Sequence, residues 1–336
     1  MDFYLGLAQV IGIHTLLGLS AWCVLHTGQV SLAQGAFFAI GAYVAGMLTS
    51  MWDWPLALAL GTGSVMAGLV AVAVGFPALR VKGLMLVVAT TAFAEIVRLV
   101  FFNLKWRVST PGGMAGPDGS LGFGGIRYFP GNGWTTFEVN LLIWALVAAV
   151  LLLLWTLDRC RIGTIWRAVG EDELAAQSAG INLTAAKVSA FGIGGAIAGL
   201  GGGVFAHYAT HIEHNNFSIL LATFAIAYPI LGGLSSLAGT LLAVVFIQGF
   251  LLEGLRFLGE WRSLLFGVLI LVVMLVRPSG LLTRSLGLGG LGGLGGSRRR
   301  LPAATAGSSG SSGASGPSGT SGRAGGTGTQ EAPRHA

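Results

Sequence analysis

The residues able to do chemistry are few and fall in a handful of places. His207, His211 and His214 flank Glu213. The first two are one helical turn apart, a spacing at which two imidazoles could share a metal with a third ligand closing the site. Glu95 with Arg98, and Glu253 with Arg256, each stand three residues apart and so share a helix face. Such a pair is a structural ion pair or a snorkelling charge, or, at mid-membrane depth, part of an ion-coupled carrier. A third place is GQVSLAQGAFFAIGAY, residues 28–43, which crowds Gly28, Gln29, Ser31, Gln34 and Gly35 between two apolar runs. The fourth is RIGTIWRAVGEDELAAQSAGINLTAAKVSAF, residues 161–191. It opens with basic residues, places Glu171, Asp172 and Glu173 where the dipole of a short helix favours acids, and has Gly180 where a helix would end. Ala175 and Ala176 give that helix a small face. It is either a docking knob for a partner's groove or an ordinary loop helix. Gly-Lys never occurs, so no G-x-x-x-x-G-K-[ST] loop is present to cradle nucleotide phosphates.

The elements that must hold these residues are set by the solvent. The chain has 53% apolar and 10% charged residues, a balance that a water-exposed surface of this length does not tolerate. The sequence predicts an all-α, polytopic integral membrane protein. Residues 3–25 carry no fixed charge and cover roughly 30 Å at helical rise. Without a basic n-region, and at that length, the run is expected to span the membrane and not to be a cleaved signal. Further spans are expected over 31–50, 55–79, 83–103, 137–157, 185–208, 217–234, 237–257 and 263–276, eight or nine in all, with a broken helix near the N-terminus. Arg80 and Lys82, then Arg159, Arg161 and Arg167, then Arg277 and Arg284, fall in short connections separated by even numbers of spans, which predicts that all three face the cytoplasm. The connection over 104–136 then faces outside, with Lys105, Arg107 and Arg127 a weaker vote for that side.

The transmembrane part is expected over residues 1–284, including a cytoplasmic loop at 158–184. From 285 to 336 the chain is Gly/Ser-rich and predicted to be a disordered cytoplasmic tail. Its Arg298 to Arg300 are either solvated or touch anionic lipid headgroups. The formal net charge of +6 comes largely from the loops and tail, and gives no reason to expect nucleic-acid binding. Cys23 lies in a span and Cys160 in a loop, so neither a disulfide nor a cysteine metal site is expected.

Several stretches resemble, in order over residues 10–282, the branched-chain amino acid permease family of bacterial ABC importers, in particular its LivM-like subunit. They are residues 28–43, PALRVKGLMLVVATTAFAEIVRLVFFN (77–103), TPGGMAGPDG (110–119), RIGTIWRAVGEDELAAQSAGIN (161–182), ILGGLSSLAGTLLA (230–243) and VRPSGL (276–281). The resemblance implies a multi-pass protein of the bacterial cytoplasmic (inner) membrane with its C-terminus in the cytoplasm. It also implies a LivH-type second permease, two cytoplasmic ATPase subunits that bind the ATP, and an extracytoplasmic substrate-binding protein; no cofactor is held by this chain and it is not itself an enzyme. Ala175, Ala176 and Gly180 are similar to the EAA loop of importer permeases, with Leu174 where that pattern has Glu and Glu173 one position early. On this reading Glu171, Asp172, Glu173, Ala175, Ala176 and Gly180 couple to the ATPase. A helix starting near Ser31 would aim its positive end at a substrate carboxylate. Gly28, Gln29, Ser31, Gln34 and Gly35 become pathway candidates, while Gly28, Gly35 and Gly41 equally suit close helix packing. Gly195, Gly199 and Gly203 predict a packing seam. An ion-coupled carrier and a membrane metalloenzyme built on the histidines are the alternatives.

Overall fold

Inside a bilayer each backbone polar group must be satisfied within its own segment. An uncharged run of about 20 residues therefore has one simple solution, and the computed structural model adopts it repeatedly. The structure describes residues 2–78, 80–81, 83–110, 113–234, 236–254 and 261–276. Helices α1 (Asp2–Leu25), α2 (Gln34–Met51), α3 (Leu56–Ala78) and α4 (Leu84–Asn103) come first, followed by a short sheet region. Within that region lie β1 (Val108–Thr110), β2 (Gly113–Pro117), β3 (Phe123–Gly124) and the one-turn α5 (Tyr128–Gly131). Then come α6 (Thr136–Arg159), α7 (Arg161–Glu171), α8 (Glu173–Ser178), α9 (Leu183–Ala209), β4 (His211–Ile212), α10 (Ile219–Gly232), α11 (Leu237–Val244) and α12 (Trp261–Val276). Among the described residues seven helical segments are long and apolar enough to cross a membrane. The stretch 237–254, where α11 continues as a π-helix, and α12 are shorter apolar helices. Seven of the nine expected spans fall on the seven long segments and the other two, 237–257 and 263–276, on the shorter helices, the end of the former lying outside the described residues. The residues beyond 276, with Glu253's partner Arg256, lie outside the described part.

Helix α9 forms the centre, packed on α1, α2 and α3. Its glycines make that possible. A methyl group on Gly199 would collide with Ala67 of α3, one on Gly195 with Ala71, and one on Gly41 of α2 with the backbone of Gly199. Removing side chains at these crossings lets helix backbones touch, the main source of association where lipid offers no hydrophobic drive. The seam expected from Gly195, Gly199 and Gly203 is therefore internal to this chain.

Two ends of the bundle are distinct. At one, the loop end, α6 finishes, α7 and α8 lie, and α9 begins. At the other, the sheet end, β1, β2, β3 and β4 join in that order, all antiparallel, with Phe123 opposite Ile212 and Gly124 opposite His211. This sheet was not foreseen. Its strands are two to five residues long, two of them with glycine, and show no alternating pattern. Thr135 and Glu138 close a capping box that starts α6.

The chain does not run straight from β4 into a full span. A 3₁₀ turn, His214–Phe217, drops back from the sheet end, and Phe217 packs on Phe38 (6.1 Å) and Tyr43 (5.9 Å). Those two residues bracket the middle of α2. Helix α10 therefore starts near mid-depth, and Ala222 reaches Gly35 near the other end of α2.

Candidate functional site

The turn joining α1 to α2 is built by a glycine. Gly28 has φ +73°, the left-handed region, and its Cα packs on α7: a methyl group there would stand 3.3 Å from the Cα and O of Gly170. The hydroxyl of Ser31 accepts from the Ala33 N–H (3.2 Å) and that of Thr90 from the Leu32 N–H (3.1 Å). Helix α2 begins at Gln34, three residues later than the sequence suggested, because this hydroxyl-bonded turn occupies 31–33. Gln34 is fully buried, and neither polar atom of its amide has a hydrogen-bond partner among the described residues. Gly28 and Gln29 lie at the loop end and not at mid-depth, with Ser31, Gln34 and Gly35 leading inward from them.

At that end the turn meets the loop helices. Gln29 Nε2 donates to Glu173 Oε1 (3.3 Å), and Lys187 Nζ, from the first turns of α9, donates to the same oxygen (2.5 Å). Lys187 is 4% exposed and Glu173 26%. One carboxylate thus ties α8 to both the α1–α2 turn and α9. Beside it Arg167 donates to Asp158 (3.0 Å), whose other neighbour is His26 at 3.4 Å. Burial holds the His26 imidazole below its ordinary range, against the opposing pull of Asp158. Removing one partner of a buried pair is costly in proportion to how buried the survivor is. Glu173→Gln, which strands the enclosed ammonium, should therefore lower the thermal midpoint of the purified permease more than Lys187→Met, which leaves a carboxylate that water can reach. Equal shifts would show that burial does not set the balance.

The three acids expected to open a single helix are divided. Glu171 ends α7, Asp172 caps α8 by accepting from the N–H groups of Leu174 (2.8 Å) and Ala175 (3.1 Å), and only Glu173 lies in the helix. Ala176, expected on the docking face with Ala175, is turned inward: it is 4% exposed and packs in a cluster with Trp166 and Ala186. The outward face is Leu174, Ala175 and Ser178. Gly180 has φ +81°, with Ile181 N–H bonded to Ala176 O (3.1 Å) and Gly180 N–H to Gln177 O (2.9 Å), the paired bonds of a left-handed helix stop. Gly180→Pro removes one of these donors and cannot take that φ. It should release α8 from its position, read as faster proteolysis at residues 172–182; cleavage at the wild-type rate would exclude this role.

The other candidates are scattered. Arg98 Nε donates to both oxygens of Glu95 (3.0 and 2.9 Å) on the outward face of α4. The histidines part company: His207 Nε2 meets the Thr49 hydroxyl (2.9 Å) and its Nδ1 Gly203 O (2.6 Å), His211 pairs with Glu213 (3.3 Å), and His214 lies edge-on to Phe102. Among the described residues no three His, Cys, Asp or Glu side chains are grouped to hold a metal.

Some features escaped the sequence reading. Gly-x-x-Ser-Leu-Ala occurs twice, at Gly28 to Ala33 and at Gly233 to Ala238. Both glycines have positive φ, and in the second copy Ser236 caps α11 by accepting from Gly239 N–H (3.2 Å). The two turns are neighbours, since Trp22 Nε1 donates to Leu234 O (2.9 Å). The repeat was the available signal. Nothing local announced that Tyr228 OH would gather His14 (2.9 Å) and Gln248 (2.8 Å) inside the bundle. At the sheet end, Thr49, Asp53, Arg127, Tyr128 and Asn132 line a cleft of about 780 Å³.

A family model described as branched-chain amino acid transport system, permease component, matches residues 3–274. The chain is 31% identical over 300 residues to the high-affinity branched-chain amino acid transport system permease protein LivM of Salmonella typhimurium, covering 82% of this chain and 69% of the relative. It is 30% identical over 296 residues to the protein of the same name from Escherichia coli, with the same coverage. It is also 25% identical over 276 residues to the fructose import permease protein FrcC of Rhizobium meliloti, covering 80% and 75%. No solved structure matches.

Proposed function

Because the chain belongs to the family of branched-chain amino acid transport system permease components, we propose that it is one membrane half of an ABC importer for branched-chain amino acids. A second permease of LivH type completes the passage, two separate ATPase subunits supply the energy, and an extracytoplasmic binding protein delivers the substrate. The observation that carries the coupling part is the shared carboxylate of Glu173. It joins an exposed loop helix to both the α1–α2 turn and the central helix α9, so a displacement of α8 is transmitted directly to the core of the bundle. A junction of this kind is what a two-state permease biased by nucleotide needs. In this reading the loop end faces the cytoplasm, in keeping with Arg159, Arg161 and Arg167 there. The polar cleft at the sheet end then suits the entrance. The relatives named for sugars leave the substrate to be set by experiment, and the two LivM relatives favour leucine, isoleucine and valine.

The test is energetic. Uptake of labelled leucine by cells carrying the complete system should continue when the proton gradient is collapsed and ATP is maintained. Uptake that disappears with the gradient would favour an ion-coupled carrier. The purified cognate binding protein should retain a branched-chain amino acid; retention of a sugar instead would move the substrate to that class.

A further inference from the structure

Helix α4 is the least enclosed of the long apolar helices. Its outward stripe includes Leu84, Val88, Ile96, Leu99 and Val100, all exposed and all suited to lipid. Glu95 interrupts that stripe with a side chain 49% exposed. At 1.5 Å per residue it stands about 2 Å from the midpoint of the helix. A charge there is not stable against hydrocarbon, so water or a polar partner must meet this face.

Three further observations converge on the same spot. Arg98 Nη1 reaches Asn215 Oδ1 (3.5 Å), in the 3₁₀ turn that drops to mid-depth. Helix α10 begins four residues later, and its N-cap Ser218 makes no side-chain cap; Leu221 N–H bonds to Ser218 O (3.0 Å), which leaves the N–H groups of Ile219 and Leu220, both exposed residues, without a side-chain acceptor among the described residues. His214, 9% exposed and within electrostatic range of Glu95, has an Nδ1 with no hydrogen-bond partner among the described residues.

We infer that Arg98, Glu95, Asn215 and the open start of α10 form the contact point for the zwitterionic head of an aliphatic α-amino acid within the passage. The carboxylate meets Arg98 and the α10 N–H groups, and the ammonium meets Glu95 and the Asn215 carbonyl. The side chain lies along Ile96, Leu99 and Ile219. Charge complementarity selects this occupant: both signs stand side by side, as in the ligand, with helix-end donors on the cationic side and exposed aliphatic surface around them. A covering protein helix would have no use for the uncapped N–H groups of Ile219 and Leu220. The inference rests on the reading of the chain as an amino-acid permease.

The experiment uses the complete importer in proteoliposomes, with labelled leucine uptake and co-purification of the second permease as readouts. Arg98→Gln should co-purify at the wild-type level and lose uptake by about tenfold or more, the size of one charge-assisted hydrogen bond. Exchanging the charges, Glu95→Arg with Arg98→Glu, preserves an ion pair but reverses its polarity against α10, and should not restore uptake. Recovery in the exchanged variant would make the pair purely structural. Loss of co-purification in Arg98→Gln would make it a subunit contact, and undiminished uptake would remove it from the passage; each overturns the inference alone. A wild-type assembly that takes up neither leucine, isoleucine nor valine would overturn the amino-acid reading, and this inference with it.

Discussion

Aspartate in place of Leu174 should abolish ATP-driven uptake while leaving the permease intact in the membrane. Leu174 is 75% exposed at the first turn of α8, a large apolar side chain on a loop helix that none of the described residues covers. If an ATPase groove covers it, the substitution loses a packed contact and buries an unpaired charge, together about 3–5 kcal/mol, or about two to nearly four orders of magnitude in assembly. Ala176→Asp provides the contrast. That residue faces Trp166 and Ala186 within the chain, so its aspartate should deplete the folded permease itself. Co-purification of the ATPase, labelled uptake and membrane yield separate the two. Full ATPase recovery and uptake in Leu174→Asp would end the docking role of α8.

The second large effect belongs to the helix crossings. Gly41→Val should yield no assembled permease, because its methyl groups would occupy the backbone of Gly199 at the meeting of α2 and α9. Overpacking a yielding core costs about 1–3 kcal/mol. Here the obstacle is main chain on a central helix, which cannot turn aside, so the cost should reach the whole stability of the bundle. Gly61→Val in α3 is the control, since no described atom lies within 4 Å of a Cβ added there. It should insert and sediment as wild type. Normal yield from Gly41→Val would mean that the crossing is looser than its geometry.

The spanning helices were legible because an uncharged run of the right length in lipid has almost no alternative to a helix. One end of a loop helix was nearly as clear, where Gly180 supplied the left-handed stop after α8. The late start of α10 was not. Hydropathy reads 217–234 as one apolar run, and cannot say whether it begins at a membrane face or halfway down. Ala176 was misplaced because α8 is only six residues long, too short for its apolar positions to fix which side faces in. The junction at Glu173 joins residues 144 apart in the chain, and no local pattern encodes such a meeting. Glu95 and Arg98 could be paired from spacing alone, but their outward direction needed the neighbours of α4.

The enclosure of α1 has a consequence in time. Among the described helices it leaves the ribosome before all the others, yet it is covered by α6, α9, α10 and α11, and Trp22 finds its acceptor at Leu234. At bacterial synthesis rates that interval is on the order of 10–40 s. During the wait α1 must lie among lipids with its future interior uncovered. Its polar residues are suited to this: Thr15, Ser20 and Cys23 all donate to carbonyls of their own helix, at Ile11, Leu17 and Leu19. They ask nothing of partners not yet made. Among the described polar groups of α1, His14 and Trp22 are the two that bond to the last third of the chain, so a truncated product is marked by those two orphaned groups, a signature for membrane quality control.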